Sequence, residues 1–256
     1  MGSHMQQDSV KRFSYRAENY DRFRPNYPPE LVDFLKEYVS LDAEHSIADI
    51  AAGTGIFTEQ IADWGNTIYV VEPNMYMRHM ATQRLSAFQS CIFIDGTAEE
   101  TGLPDQSVDF IVSAQAFHWF NAAQAKEEFK RIGRGNPYVA VIWNLRNTDS
   151  PFEVGYETFI RTYAMDYLNV SHRQTDTAEV LAFFSPHVPE YRVFEHADFL
   201  TFEQLRGRTL SYSYMPDETS DTLKEVLDSL MALFNEYEKE GKVRLSYKTR
   251  LFIGTI

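Results

Sequence analysis

The sequence predicts an α/β fold, a doubly wound and mostly parallel sheet, and three observations predict it. The first is the stretch Ile47-Ala48-Asp49-Ile50-Ala51-Ala52-Gly53-Thr54-Gly55, a short apolar run ending in two glycines one residue apart. Ile56 to Ala62 follows with helical spacing of its apolar positions, so strand, glycine turn and helix come in that order. The second is the repetition of this unit, with apolar β-branched runs alternating with helical patterns as far as Asn144. The third is the loss of that alternation beyond Asn144, where aromatic-rich helices take over. Alternation implies parallel strands joined by right-handed crossovers, with ligands received at the carboxyl ends of the strands.

Composition narrows the functional classes. The chain has 256 residues, 44% hydrophobic and 14% aromatic, enough for one large domain or a domain with a lid. Met1 to Met5 reads as residue from an expression tag. A formal net charge of −13 argues against nucleic acid and anionic membrane as partners, because both attract basic surface. The single cysteine, Cys91, excludes an internal disulfide and a multi-cysteine metal site, and no metal is expected. Cys91 opens an apolar run and is expected to be a buried structural thiol. No run approaches the about 18 consecutive apolar residues of a membrane span. No signal peptide is visible, so a soluble, cytoplasmic protein is expected, of an oligomeric state that cannot be read from the sequence.

Taken in order, residues 6–29 form an aromatic and basic segment broken by Pro25, Pro28 and Pro29. It reads as an arm packed on the domain or a lid closing over a ligand. The domain proper spans 30–256. Pro29 opens a helix through Val39 with Leu31, Phe34, Leu35 and Tyr38 on one face. After the glycine turn, the helix from Ile56 to Trp64 stops at Gly65. Thr67 to Glu72 is a second strand, and Pro73 and Asn74 begin the helix Met75 to Phe88. Cys91 to Asp95 is a third strand. It runs into a loop, Gly96 to Pro104, in which Thr97 and Glu100 have capping-box spacing. Val108 to Gln115 is a fourth strand, with Ala116-Phe117-His118-Trp119-Phe120 at its carboxyl end. Asn121 caps a helix to Ile132, Gly133 and Gly135 break it, and Tyr138 to Asn144 is a fifth strand. Residues 147–240 read as a cap insertion. It contains helices at Asp149–Asn169, Thr177–Phe184, Phe202–Tyr214 and Thr219–Glu240, a polar stretch at Ser171–Asp176 and a strand at Arg192–Phe202. Val243 to Ile256 closes as a β-rich tail.

The ligand is argued from Asp49. A dinucleotide fingerprint requires Gly-x-Gly-x-x-Gly, and Thr58 stands at the third position. A pyrophosphate wants helix-end amides without a neighbouring carboxylate, whereas an acid suits a cation. S-adenosylmethionine (SAM) carries an ammonium and a sulfonium and no phosphate, so SAM is favoured over NAD. Glu72 ends the second strand where a carboxylate receives the two ribose hydroxyls in nucleotide folds. Small residues past the third strand leave room for a flat ring. An NAD-linked oxidoreductase shares the strand and turn, and a non-catalytic SAM-binding regulator would share every binding residue.

Together these residues resemble the class I SAM-dependent methyltransferases of the type 11-like kind, over nearly the whole chain. Asp49-x-Ala51-x-Gly53-Thr54-Gly55 looks like the family's first motif. Glu72-Pro73, followed by Met75, looks like the ribose acid and its neighbours. Gly96-Thr97-Ala98-Glu99 with Leu103-Pro104 looks like the adenine loop, in which either Asp95 or Glu99 serves as the acid. Ala114 to Phe120 and the opening Tyr20-Asp21-x-Phe23-Arg24-Pro25-x-Tyr27-Pro28 are similar to the branch that includes trans-aconitate methyltransferases. The resemblance implies a Rossmann-like sheet of seven strands, the last antiparallel and formed by the tail. It implies SAM contacts from Tyr20, Arg24, Asp49, Ala51, Gly53, Thr54, Gly55, Glu72, Pro73, Met75, Gly96, Thr97, Ala98, Glu99, Ser113, Gln115 and Ala116. A small organic acceptor with a carboxylate or hydroxyl is expected, held by Trp119, Trp143, Arg146, Tyr212 and Tyr214. Methyl transfer from a sulfonium is an in-line displacement governed by placement. A carboxylate acceptor is already ionised, whereas a hydroxyl needs a base, for which His118 is the candidate, with packing or positioning as its other reading.

Overall fold

The computed structural model describes residues 22–164, 177–212, 214–216 and 220–256. Tyr20, most of the N-terminal segment and the polar stretch 171–176 lie outside the described residues.

Seven strands form one sheet in the order β3-β2-β1-β4-β5-β7-β6. They are β1 (Ser46–Ile50), β2 (Thr67–Val71), β3 (Cys91–Ile94), β4 (Val108–Ala114), β5 (Gly133–Arg146), β6 (Glu190–Leu200) and β7 (Val243–Thr255). The first five run parallel, and β7 is antiparallel to both β5 and β6. The strand order reverses direction between β1 and β4. That is the switch point at which a doubly wound sheet opens a crevice.

Helices cover both faces because β1, β4 and β5 are apolar on both sides. On one face α1 (Pro29–Val39), α2 (Ile56–Ile61) and α3 (Met75–Arg84) bury Leu31, Leu35, Phe57, Ile61 and Ala81 against Ile47, Phe110 and Ile142. On the other, α4 (Ala122–Ile132) and α6 (Thr177–Phe184) bury Phe129, Ile132, Phe183 and Phe184 against Ile111, Val139 and Phe252. A third cluster joins α5 (Pro151–Tyr163), α7 (Phe202–Ser211) and α8 (Leu223–Tyr237) to the near ends of β6 and β7. The expected starts at Asn74 and Asn121 are capped, Asn74 accepting from the Tyr76 and Met77 amides and Asn121 from that of Gln124, and Ser150 and Thr201 also form capping boxes.

Four expectations are corrected. The stretch 147–240 is not one cap: α6 covers the sheet and β6 is its edge strand, leaving α5, α7 and α8 as the cap. Strand β5 starts at Gly133, not Tyr138, since Gly133 pairs with Val108 and the ladder shifts register before Phe110. Glycines and Pro137 there mark an irregular strand entry instead of a turn. Thr97 caps no helix. Its hydroxyl accepts from the Glu100 amide at 3.2 Å within a turn. Cys91 is half-buried and free, not fully enclosed.

Candidate active site

A cleft opens at the tips of β1 and β4, lined by Arg24, Tyr27, Asp49, Ala51, Gly53 and Gln115 among others. Its floor is the glycine turn. Ala51, Gly53 and Gly55 all hold positive φ, at 57°, 60° and 79°. Gly55 suits its left-handed backbone, and a Cβ there would also press on Leu85, standing 3.0 Å from its Cδ1 atom. Ala51 and Gln115 (φ 62°) are non-glycine residues in that region, and both face this cleft. Left-handed backbone at an alanine is costly and persists where surrounding structure over-determines it. Here the next amide, Ala52 N–H, is tied to the Val71 carbonyl at 3.1 Å, and the Gln115 amide to Ile142 at 2.8 Å.

Asp49 is almost fully buried beneath the turn. Thr58 Oγ1 donates to its Oδ2 at 2.6 Å. Thr58 is the residue that replaces the third glycine of a dinucleotide fingerprint, and the structure gives it a task of its own. Burial pushes the Asp49 carboxyl up to about 7, the Thr58 hydroxyl opposes this, and the nearby Glu72 charge adds to it. Glu72, at the tip of β2, accepts from the Gly53 amide at 2.9 Å and from the Asn74 amide at 2.8 Å. It therefore joins the glycine turn to the start of α3. Burial raises its pKa, while the two amides and Arg78 oppose the rise.

The loop after β3 is braced from α4. Glu128 Oε1 accepts from the Thr101 amide at 2.8 Å and its hydroxyl at 2.6 Å, and Arg131 closes on the same carboxylate at 2.7 Å. Gly96 lies so near the Thr101 backbone that a Cβ would stand 2.3 Å from its carbonyl oxygen. Ala98 is buried beneath this loop. Of the two candidate acids, Asp95 is exposed and paired with Arg78 at 3.0 Å, and Glu99 accepts from the Asn121 amide at 2.7 Å. Met75 is exposed and Pro73 half-buried near Glu72. Glu128 is invisible to motif reasoning, since an acid on an amphipathic helix looks like a solvated one.

At the β4 tip, Ala116 and His118 are buried, and the His118 ring lies 4.7 Å from that of Trp119. Beyond β5, the Arg24 and Arg146 guanidiniums lie 4.8 and 4.9 Å from the centre of the Tyr212 ring, and Tyr214 stacks on that ring at 5.2 Å. Arg146 also donates to Tyr214 at 3.0 Å and pairs with Glu157 at 3.2 Å. Burial alone would raise the Tyr212 phenol, but Arg146, Arg24 and Arg208 outweigh it and hold the pKa below the usual phenol value. Trp143 is a correction. It points to the opposite face of β5, packed with Phe117 and Phe252 in the core, because successive side chains alternate across a strand.

Three buried oxygens at these strand tips, Asp49 Oδ1, Thr54 Oγ1 and Ser113 Oγ, have no hydrogen-bond partner among the described residues. A bare carboxylate oxygen and two hydroxyls fit a ligand bringing an ammonium and further donors, as SAM does. Among the described residues no group of three His, Cys, Asp or Glu side chains is placed to hold a metal, and no helix is long and apolar enough to cross a membrane.

Residues 48–141 match the sequence profile of a family described as a methyltransferase domain, a span that holds the glycine turn, Glu72 and the β4 tip. Over 251 residues the chain is 26% identical to an uncharacterised methyltransferase-like protein of Schizosaccharomyces pombe, covering 96% of each. It is 34% identical over 140 residues to an uncharacterised methyltransferase of Mycobacterium bovis, covering 55% of each. Among solved structures, a candidate type II methyltransferase of Anaeromyxobacter dehalogenans superposes with a TM-score of 0.67 at 21% identity, covering 91% of this chain and 98% of the other. The chain is a SAM-dependent methyltransferase of Rossmann-like fold, using SAM and releasing S-adenosylhomocysteine.

Proposed function

We propose that the enzyme methylates a small organic acceptor carrying a carboxylate or hydroxyl, as in the branch that includes trans-aconitate methyltransferases. The observation that carries this reading is the convergence of Arg24 and Arg146 on the Tyr212 ring beside the donor cleft. Guanidiniums bind carboxylates through paired, charge-assisted hydrogen bonds, and stacked tyrosines suit an organic body. SAM supplies a methyl group already activated on sulfur. The chain's own residues bind and orient. Asp49 faces the ammonium, Glu72 takes the ribose hydroxyls, and the loop at Gly96, Thr97 and Ala98 receives the adenine. Arg24 lies between donor and acceptor, with Tyr20 beside it in sequence. Arg146, Tyr214 and Trp119 hold the acceptor. A carboxylate acceptor arrives ionised and asks only for placement and exclusion of water. His118 then positions the acceptor, and a hydroxyl acceptor would give up its proton to His118.

Arg24→Ala is expected to raise the dissociation constant for S-adenosylhomocysteine about tenfold, the loss of one charge-assisted contact. Arg146→Ala is expected to raise the KM of the acceptor while leaving donor binding within about twofold. Transfer of radiolabelled methyl from SAM into a panel of carboxylic acids, phenols and amines tests the acceptor class. Product confined to the amines would overturn it, and no product despite tight SAM binding would favour a regulatory SAM-binding role. Mass spectrometry of the purified protein for retained SAM or S-adenosylhomocysteine tests the donor directly.

A further inference from the structure

The segment carrying Arg24 crosses the mouth of the cleft, and its two ends are held by different parts of the fold. At the far end, Tyr27 exchanges two hydrogen bonds with Gln60 of α2, at 3.1 and 2.9 Å. Asn144 of β5 donates to the Asn26 carbonyl at 3.2 Å. At the near end the holder is α7, a helix of the cap. Arg208 Nε donates to the Phe23 carbonyl at 2.7 Å, and the Arg24 guanidinium reaches the Ser211 carbonyl at 3.3 Å. Arg208 is itself buried and fixed by Asp198 and by the Tyr247 hydroxyl.

Gly207 makes this contact possible. A glycine inside a helix costs about 0.5–1 kcal/mol relative to alanine. A Cβ on Gly207 would stand 2.4 Å from two atoms of the Phe23 ring and 2.5 Å from a third. The missing side chain is what lets the ring lie flat on the helix. Nothing in helical periodicity requires a glycine at this position, so its use here is tertiary.

We propose that Gly207 and Arg208 are positioning residues for the donor site: they seat Phe23 against α7 and so set the Arg24 guanidinium over the cleft. This rests on reading that cleft as the SAM site. Neither residue lines the cleft, and neither is part of the methyltransferase-domain match at residues 48–141. The cap thereby helps shape the donor site as well as the acceptor side, because the last turn of α7 leads directly into Tyr212.

The test is calorimetric titration of S-adenosylhomocysteine into wild type, Gly207→Ala, Phe23→Ala, the double variant and Arg208→Lys, with thermal melting of each ligand-free protein. Gly207→Ala is expected to raise the dissociation constant about tenfold while melting within a few degrees of wild type. The double variant should bind close to Phe23→Ala alone, because alanine lacks the Cγ, Cδ2 and Cε2 atoms that the new Cβ meets. Arg208→Lys loses the donor to the Phe23 carbonyl but keeps its charge beside Asp198. It should weaken binding in the same direction, which supports the proposal even if Gly207→Ala does not fold. A merely structural role would lower the melting temperature and leave affinity unchanged, and that result overturns the proposal. So does a Gly207→Ala loss undiminished in the Phe23→Ala background. Asp49→Asn and Arg24→Ala serve as controls. If they weaken binding while the α7 variants do not, the positioning role alone fails. If they leave binding intact, the donor-site reading fails and takes this proposal with it.

Discussion

Glu72→Ala is expected to raise the dissociation constant for S-adenosylhomocysteine by at least about a hundredfold and to lower the melting temperature. Two losses combine. On the proposed reading the carboxylate no longer receives the ribose hydroxyls, and the Gly53 and Asn74 amides, from which it accepts at 2.9 and 2.8 Å, lose their partner. An orphaned buried amide carries its full desolvation penalty. The glycine turn and the start of α3 then loosen together. Glu72→Gln keeps the side-chain shape and one oxygen, so a smaller loss of about tenfold is expected. The ribose assignment has its own check. A 2′-deoxy analogue of S-adenosylhomocysteine should bind wild type weakly, and Glu72→Gln should no longer discriminate it from the parent. Strictly additive losses in that cycle would place the ribose elsewhere.

Asp49→Asn is expected to weaken SAM binding about tenfold to a hundredfold while leaving the ligand-free protein equally or more stable at pH 8. The carboxyl sits in the core with an ordinary value of 3.8 pushed up to about 7, so the folded, ligand-free enzyme holds a proton that the unfolded chain releases. The sign follows. Stability from this group is fully present below pH 4 and is lost as pH rises through 7. Binding of a cationic ligand runs the other way, since the ionised carboxylate is the form that pairs with the ammonium. Donor affinity in wild type should therefore rise between pH 6 and 8 as protonated Asp49 is titrated. In Asp49→Asn both slopes should flatten, because asparagine has no proton to release and its amide oxygen still accepts from Thr58. Calorimetry at pH 6, 7 and 8 and melting curves at the same values check this. An unchanged pH dependence in the variant would mean that another group carries the titration.

Asp49 also marks how much a local pattern can convey. Its place before the glycines, and the threonine where a dinucleotide site has glycine, are local facts that point to a cationic ligand. The strand–turn–helix units as far as β4 are equally local, since apolar runs of four to seven residues, Asn caps and proline or glycine stops lie within a few residues of what they control. Trp143 shows the limit. Its residue type suited a pocket, but the parity of β5 sends it into the core while Arg146, three residues on, faces the cap. A run apolar on both faces contains no alternation from which parity could be read. β6 has the residues of a strand, but its partner β7 lies some fifty residues on, and only the antiparallel register Glu190 to Ile253 makes it a sheet edge.

By itself, then, the sequence determined the doubly wound class, the glycine turn with its acid, the carboxylate at the second strand tip and the methyl-donor chemistry these imply. Each rests on spacing within one supersecondary unit, where backbone geometry leaves few choices. The tertiary structure alone decided that Thr58 clamps Asp49, that Glu128 braces the loop after β3 and that Ala51 and Gln115 take left-handed backbone. It also decided that a helix of the cap, through Gly207 and Arg208, holds the segment bearing Arg24. Those contacts join residues far apart in the chain, and their energy depends on how closely two packed surfaces approach, which no local pattern encodes.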